Sequence, residues 1–363
     1  MGVVFLLIFT AYITIQAFAA KLYGPDLGSN MELTLYAVFT AACFAAPAIT
    51  NVCGPRVTLF FGSLGYAALV SASLVLAMFG SHLWTEALVV FGGACCGLGA
   101  ALLWTAQGRM MMEWSNGSDQ GEIFAIFWAL FNLSAVFGGG LTFFFFADHP
   151  IEDQKSLVPL YVVFLLCIVG GGACIGCLSP SARRGTSSHA TASVIASPSP
   201  PFDGTAAPAA PPSMVTEAAA TVKLFATPTM AVLAPLMWYT GYNQPYQLNT
   251  FGDRFFSARA LGLEIIVFYA AEIVGGFAAG WLLDRDPMRP RAAAVRQLVI
   301  FGVVTTAGYA IAFYYELAAA TRDWPTSDVT KLRVNQTEIL PPTAAFALWG
   351  LSDSQVHASL FIS

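Results

Sequence analysis

The chain is short of charge. Of its 363 residues only 10% are Asp, Glu, Lys or Arg, against 57% that are hydrophobic, whereas a soluble domain is roughly a quarter charged. Its 29 phenylalanines would demand several large soluble cores, and 16 basic and 21 acidic side chains are too few to clothe them. A soluble enzyme or binding module is thereby excluded, and lipid is the natural solvent. The net charge of −5 sits in a few loops and builds no basic field, which excludes nucleic acid as a partner.

Metal-ligating patterns are scarce as well. The four histidines, His82, His149, His189 and His357, have no ligand spacing. All seven cysteines fall in or beside apolar runs, where a thiol behaves as a small hydrophobe. Cys174 and Cys177 have the spacing of a metal or redox pair, but they lack a second pair and a polar setting. There is no G-x-S-x-G, and Gly97-Leu98-Gly99 lies inside an apolar run with no strand before it. No catalytic centre, metal or cofactor is expected. The first residues lack the basic start of a signal peptide and their apolar stretch is too long for one, so they read as a first membrane span.

What the chain does have is long apolar runs. Stretches able to cross a bilayer, roughly 17 to 25 residues, occur at about 3–20, 33–52, 57–79, 84–106, 122–147 and 157–179, and again at about 226–248, 261–283, 295–316 and 342–363. Strict alternation is absent, so helices are preferred to barrel strands. Between the sets lies a Ser-, Pro- and Ala-rich stretch containing "SPSPPFDGTAAPAAPPS". The expected organisation is an N-terminal six-helix bundle over 1–180, a disordered cytoplasmic linker over 181–222 and a C-terminal bundle of four helices over 223–363. With the N-terminus cytoplasmic, nine of the 16 basic residues lie inside, a narrow margin under the positive-inside bias. That orientation places the glycosylation acceptor Asn335-Gln336-Thr337 outside. The membrane is the plasma membrane or an endomembrane.

Polar residues inside such runs are costly and therefore informative. Glu272 is central in the run 261–283, where a carboxylate costs about 2.5–3.5 kcal/mol on insertion scales, so it is expected to face protein or water. Gly276 and Gly280 follow at i+4 and i+8 and put the acid on one stripe with a surface able to admit a neighbouring backbone. Trp349, Asp353 and His357 recur every four residues in the tenth run, where an acid and a histidine one turn apart can relay a proton or satisfy each other. Neutral residues share faces elsewhere: Tyr12 with Gln16, Trp104 with Gln107, Tyr239 with Asn243, and Trp128 with Asn132 and Gly139. Each set serves either a pathway or the packing between helices. Pro235 and Pro245 bracket the polar part of the seventh run and open its backbone hydrogen bonding. Gln107, Gly108 and Arg109 read as the cytoplasmic end of the fourth helix, with Gly108 permitting a turn or close packing and Arg109 reaching the headgroups. Gly92, Gly93, Gly97 and Gly99 read as notches for neighbouring helices.

Five stretches, "NVCGPRVTLFFGSLGY" (51–66), "FGGACCGLGAALLWTAQG" (91–108), "FAIFWALFNLSAVFGG" (124–139), "YQLNTFGDRFFSARALGL" (246–263) and "ALWGLSDSQ" (347–355), together resemble the Unc-ninety-three-like, or ion channel regulatory protein, family. That family is a branch of the major facilitator superfamily. The resemblance implies an all-α membrane protein of twelve helices in two pseudo-symmetric bundles, with helices one, four, seven and ten around a central cavity. Ten runs are two short of that pattern, so a truncated chain is expected. Gly280-Trp281-Leu282-Leu283-Asp284-Arg285, with Arg289, resembles the superfamily's cytoplasmic latch, and the loop around Arg56 matches it without the acid. The resemblance leaves two functions open. One is a secondary transporter of a small solute or ion, with Glu272 and Asp353 as proton or cation sites, potassium included. The other is a regulator or escort of a potassium channel or membrane receptor.

Overall fold

Glycine and proline divide the N-terminal half. The computed structural model describes residues 1–114, 120–148, 154–178, 214–284, 290–322 and 331–362. Helix α1 (Gly2–Ala17) passes into the short α2 (Ala19–Tyr23), which ends at Gly24 with φ 83°. That backbone conformation suits a residue without Cβ. Pro25 then takes the first position of α3 (Pro25–Cys43), where its missing N–H has no helical partner to lose. Gly54, φ 82°, and Pro55 repeat the device between α4 (Ala46–Cys53) and α5 (Pro55–Phe79). Helices α3 and α4 together cover the run 33–52 but are bent by 61°. The cause is Pro47, which cannot donate to the carbonyl of Cys43 and so breaks the ladder there.

The remaining helices are α6 (Leu83–Trp114), α7 (Gln120–Asp148), α8 (Val158–Gly176), α9 (Met214–Phe225), α10 (Pro228–Gln244), α11 (Asp253–Phe255), α12 (Ala258–Asp284), α13 (Pro290–Arg322) and α14 (Leu340–Ile362). Every apolar run read from the sequence is helical, and among the described residues six helices are long and apolar enough to cross a membrane, or seven if α3 and α4 form one span. Among the described residues there is no strand, only an isolated bridge between Phe256 and Leu332. The linker expected at 181–222 lies outside the described residues as far as 213; from Met214 onward the chain is helical, so its last part is α9 rather than coil.

One element departs from α geometry. Pro245 has no N–H for the carbonyl of Gly241, and the chain closes as a π-helical segment over Pro245–Gly252. The sequence expectation that Pro245 opens the backbone is thus realised by a wider turn within a continuous helical path. This segment carries Gln247 and Asn249, two of the polar side chains discussed below.

Packing follows the glycines. In lipid, helices associate through close contact rather than through the hydrophobic effect. A Cβ at Gly92 would lie 3.1 Å from Leu69 Cα of α5, and one at Gly99 would lie 3.0 Å from Gly65 Cα. On the opposite flank of α6, a Cβ at Gly93 would meet Met31 O of α3 at 2.9 Å and one at Gly97 would meet Phe39 N at 3.0 Å. Helix α6 is therefore notched on two sides, one for α5 and one for α3. Gly97→Leu is expected to cost about 1–3 kcal/mol, the usual penalty of overpacking, and to lower the thermal midpoint of the detergent-purified protein followed by size exclusion; an unchanged midpoint would mean the notch is not needed.

Helices α1–α8 pack among themselves, as do α10–α14, and the two sets meet chiefly where α7 crosses α12. There too the contact is glycine on glycine: a Cβ at Gly262 would lie 3.0 Å from Gly139 O and 2.9 Å from Phe143 N. One turn away, the Arg259 guanidinium lies 4.7 Å over the Phe143 ring, an attraction of the cation for the ring's negative face. Each half has its own aromatic cluster, Phe5, Phe9, Trp104 and Phe131 in the first and Tyr246, Phe251, Phe346 and Trp349 in the second.

Candidate functional site

Across the seam between the halves runs a series of polar contacts, beginning at the ends of α2 and of the π segment. Lys21, in the last turn of α2, keeps only 4% of its side chain exposed. Its ammonium donates to Asp253 Oδ1 at 2.8 Å and to the carbonyl oxygens of Asp253 and Phe256 at 3.3 and 3.0 Å. Lys331 approaches the same Oδ1 at 3.5 Å. Beside it, Leu332 N donates to Phe255 O at 2.8 Å and Ser257 N donates to Leu332 O at 3.1 Å. One carboxylate thus clasps the first half to two separate segments of the second.

Burial pushes the Asp253 carboxyl up, but Lys21 and Lys331 outweigh it and hold it below the ordinary aspartate value. A carboxyl so depressed contributes stability that is complete above its unfolded value, near pH 4, and is lost as pH falls through the lower folded value. Amide protection over residues 245–257, corrected for intrinsic exchange, is therefore expected to hold from neutrality down to about pH 4 and to fall only in stronger acid. Loss of protection already at mildly acidic pH would assign control to another group.

Deeper in the seam, Asn249 on the π segment donates through Nδ2 to Glu32 Oε1 of α3 at 2.9 Å. Gln16 of α1 donates to the Tyr36 hydroxyl of α3. Tyr12 packs edge-on against Tyr66 at 5.0 Å. Tyr269 of α12 lies within electrostatic reach of Glu272, Asp353 and, across the seam, Tyr36. Polar residues of α1, α3, α12 and α14 therefore converge on one region.

Asp353 is the best-defined member. It is buried, 1% exposed, midway along α14. Asn243 Nδ2 donates to its Oδ1 at 2.7 Å and Gln244 Nε2 to its Oδ2 at 3.3 Å. Both amides stand at the C-terminal end of α10, where Pro245 begins the π segment. Next to them the Tyr239 ring packs on Phe301 at 5.3 Å, with its hydroxyl among Thr305, Ser352 and Asn243. Trp349, one turn from Asp353, is fully buried in the aromatic cluster, as the four-residue spacing implies. The side chain of His357 lies outside the described residues.

Glu272 is also buried, 1% exposed. Its stripe is corrected: Gly276 has nothing near its Cβ position, whereas a Cβ at Gly275 would lie 3.1 Å from Leu351 O and 3.2 Å from Leu351 Cα of α14. The close approach is one residue away from the one spacing suggested, and Gly280 lies outside the described side chains. Asn132 of α7 is completely buried, and neither atom of its amide makes a hydrogen bond among the described residues. The antiparallel pairing that sets Gly139 on Gly262 carries Asn132, seven residues back, to the level of Tyr269, so it belongs to the same region as Glu272.

The C-terminal end of α6 differs from its sequence reading. The helix does not end at Gln107-Gly108-Arg109 but runs on to Trp114. Gly108 makes no close approach, with nothing within 4 Å of its Cβ position. Arg109 stays at home: it donates to Glu113 at 2.7 Å and to Asn51 Oδ1 at 2.6 Å rather than reaching outward. Gln107 is buried, and Trp104 lies edge-on to Phe5 at 5.2 Å. Trp104, Gly108, Arg109 and Asn51 line a cleft of about 300 Å³ between α4 and α6. A second cleft, about 320 Å³, lies around Gly24, Asp26 and Glu86. Neither is lined by Asp353 or Glu272. Arg56 donates to the carbonyl of Gly176 at 2.6 Å, at the C-terminal end of α8, where a cation is favoured. Asp284 ends α12 but its side chain, with Arg285 and Arg289, lies outside the described residues. Asn335 is exposed in a turn.

Three acids, Asp253, Glu32 and Glu264, are not singled out by the sequence patterns. Glu32 sits in an amphipathic first part of α3 that breaks the apolar run, and Glu264 stands near the start of α12, where an acid reads as a loop-side residue. The signal that would have found Glu32 is Gly24-Pro25, which marks where the helix begins.

A family model described as ion channel regulatory protein UNC-93 matches residues 28–362. Among curated relatives, UNC93-like protein 1 of Arabidopsis thaliana is 26% identical over 285 residues, 78% of this chain and 57% of that protein. UNC93-like protein MFSD11 of Xenopus tropicalis is 26% identical over 382 residues, 98% of this chain and 79% of that protein. The chain thus spans little more than half the length of the Arabidopsis relative. Among solved structures, the xylose transporter XylE from E. coli in a partially occluded inward-open conformation aligns with a TM-score of 0.54 at 10% identity, covering 99% of this chain and 81% of that one. A D-xylose-proton symporter aligns at 0.50 and 12%, covering 98% and 84%. Identities this low establish shared architecture and nothing about substrate. With its helices in two sets that meet along α7 and α12, and the family model spanning nearly its whole length, the chain belongs to the UNC-93 family and is an integral, multi-pass membrane protein of major-facilitator fold.

Proposed function

We propose that the protein is a secondary transporter that moves a small solute or ion by alternating access, with Asp353 as a proton- or cation-binding group and Glu272 as its companion. The observation that carries this is the cradle of Asp353: a carboxyl buried midway along one helix and held by two neutral amides from another, at a point where the backbone departs from α geometry. Buried ionisable groups in membrane helices mark pathways, and broken helices supply their ligands. Asn132, Asn243, Tyr239 and Gln16 line the approach to these acids. His357 extends it along α14, while Trp104 and Gln107 flank the cytoplasmic mouth. Asp284, Arg285, Arg289 and Arg56 serve as the latch on the cytoplasmic face, opposite the Lys21–Asp253 clasp. The coupling ion is a proton or potassium. In proteoliposomes holding a pH-sensitive dye, an imposed potassium or proton gradient is expected to drive flux; no flux above that of empty vesicles under either gradient would remove transport.

A second role, as regulator or escort of a channel or receptor, is favoured by the family's own description. It requires that a membrane partner co-purify from mild detergent with stoichiometric yield.

The N-terminus-inside orientation makes its own prediction. Asn335 is exposed on the side read as external, so the protein expressed in a glycosylating cell should lose apparent mass on endoglycosidase treatment, and Asn335→Gln should abolish that shift. A wild-type protein with no shift would reverse the orientation.

A further inference from the structure

We propose that Glu264 is a proton-binding site at the seam between α12 and α14, and that it carries its proton in this conformation. It stands apart from the transport reading and holds equally for a regulator.

Hydrogen counting carries the inference. Glu264 is fully buried, 0% exposed, in the second turn of α12. Thr343, in the first turn of α14, has its hydroxyl oxygen 2.6 Å from Glu264 Oε1 and 2.9 Å from the carbonyl oxygen of Ile339. Both are hydrogen-bond distances, yet a threonine hydroxyl owns one hydrogen and a carbonyl owns none. The carbonyl contact is the common back-bond of threonine to the residue four before it, and it uses Thr343's hydrogen. The second contact then needs a hydrogen from the carboxyl, so Glu264 Oε1–H donates to Thr343 Oγ1.

The alternative assignment is poorer on two counts. If Thr343 donated to an ionised Glu264, two acceptor oxygens would face each other at 2.9 Å with no hydrogen between them. The carboxylate would also be buried with a single hydrogen bond, because Glu264 Oε2 has no partner among the described residues. A buried charge needs a counter-charge or several donors, and neither is present among the described residues.

Among the described side chains, the elements packed on α12 bring no cation to Glu264. Arg259 of the same helix lies over Phe143 of α7, and α7 has no charged residue from 126 to 147. On α13, Glu316 pairs with Arg254, and Arg296 stands at the opposite end of the helix. On the π segment, Tyr246 stacks with Tyr242. On α14, Asp353 is ten residues further along and held by Asn243 and Gln244. Within α12, Tyr269 and Glu272 lie further down the helix. None of the four ion pairs among the described residues involves Glu264.

The seam itself is tight. A Cβ at Gly350 of α14 would meet the Ala271 methyl at 3.2 Å, and Gly275 of α12 abuts Leu351. Removing the proton would place a charge between two closely packed helices, so the arrangement seen here is the proton-loaded one, and release of the proton accompanies separation of α12 from α14 at this level.

Infrared difference spectroscopy on the full chain in nanodiscs tests this at neutral pH. A protonated-carboxyl stretching band that shifts in D2O is expected in the wild type, and the wild-type minus Glu264→Gln spectrum should contain it. Thr343→Val should keep the band and move it to higher frequency, because the acid loses its acceptor. A difference spectrum showing only ionised-carboxylate bands would overturn the proposal. Should Glu264→Gln fail to fold, Thr343→Val decides alone: an upward shift supports the proton on Glu264, and an unchanged carboxyl region overturns it.

Discussion

Asp353→Asn is expected to reduce ion-coupled flux by one to two orders of magnitude. Asparagine matches the shape of aspartate, and Asn243 can still donate to its oxygen, so the fold of α14 should survive. The charge is lost, however, and the –NH2 group that replaces one carboxylate oxygen faces a donor at the position now served by Gln244 Nε2. A hydrogen bond to a charged group is worth about 1.5–3 kcal/mol, and each 1.4 kcal/mol is about tenfold in an equilibrium. Glu272→Gln should show the same direction with a smaller loss, since that acid lies on the neighbouring helix α12, outside the amide cradle. Flux is read in proteoliposomes at matched protein density. Equal rates for wild type and both variants would sink Asp353 and Glu272 as coupling groups.

Lys21→Met is expected to loosen the clasp far more than a surface charge change would. The methionine stem fills much of the same space, so the effect isolates the ammonium. Its loss leaves the Asp253 carboxylate and two carbonyl oxygens without their donor. Breaking a fully buried pair costs about 3–5 kcal/mol; with 34% of the Asp253 side chain exposed and Lys331 still nearby, about 1–3 kcal/mol is the apt range. That shifts the balance between closed and open arrangements by roughly 5- to 150-fold. Hydrogen exchange over residues 245–257 should accelerate accordingly, while exchange in α5 and α6 stays as in wild type. A uniform acceleration across the chain would show general destabilisation instead, and no change would deny the clasp any hold over the two halves.

The membrane spans were legible because a helix in lipid must be apolar over most of its length, and the runs in the sequence are helical, although 33–52 is bent into two helices and six or seven of the described helices meet the length and apolarity of a span. Their ends were less legible. Hydropathy locates lipid, whereas helices stop where caps, glycine or proline stop them, so α6 continues past Arg109 to Trp114 and α3 begins at Pro25 rather than near residue 33. Asp353 with Asn243 was visible one helix at a time, but that the two bond across α10 and α14 depends on packing. The glycine beside Glu272 shows the limit of spacing: positions three and four residues on flank the same face about equally, and only the neighbour α14 selects Gly275 over Gly276. The Lys21–Asp253 contact joins residues 232 apart in sequence, a separation over which no local pattern speaks.

The Gly139–Gly262 contact also has a mechanical consequence. It sits four residues from the start of α12, so it acts as a fulcrum near one end of a long beam. From Gly262 to the far end at Asp284 is roughly 33 Å at about 1.5 Å of rise per residue. A tilt of about 10° around that point swings the distant tip through roughly 6 Å while the glycine pair hardly shifts. Leverage of this kind lets a small yielding near the fulcrum open a wide mouth at the other end.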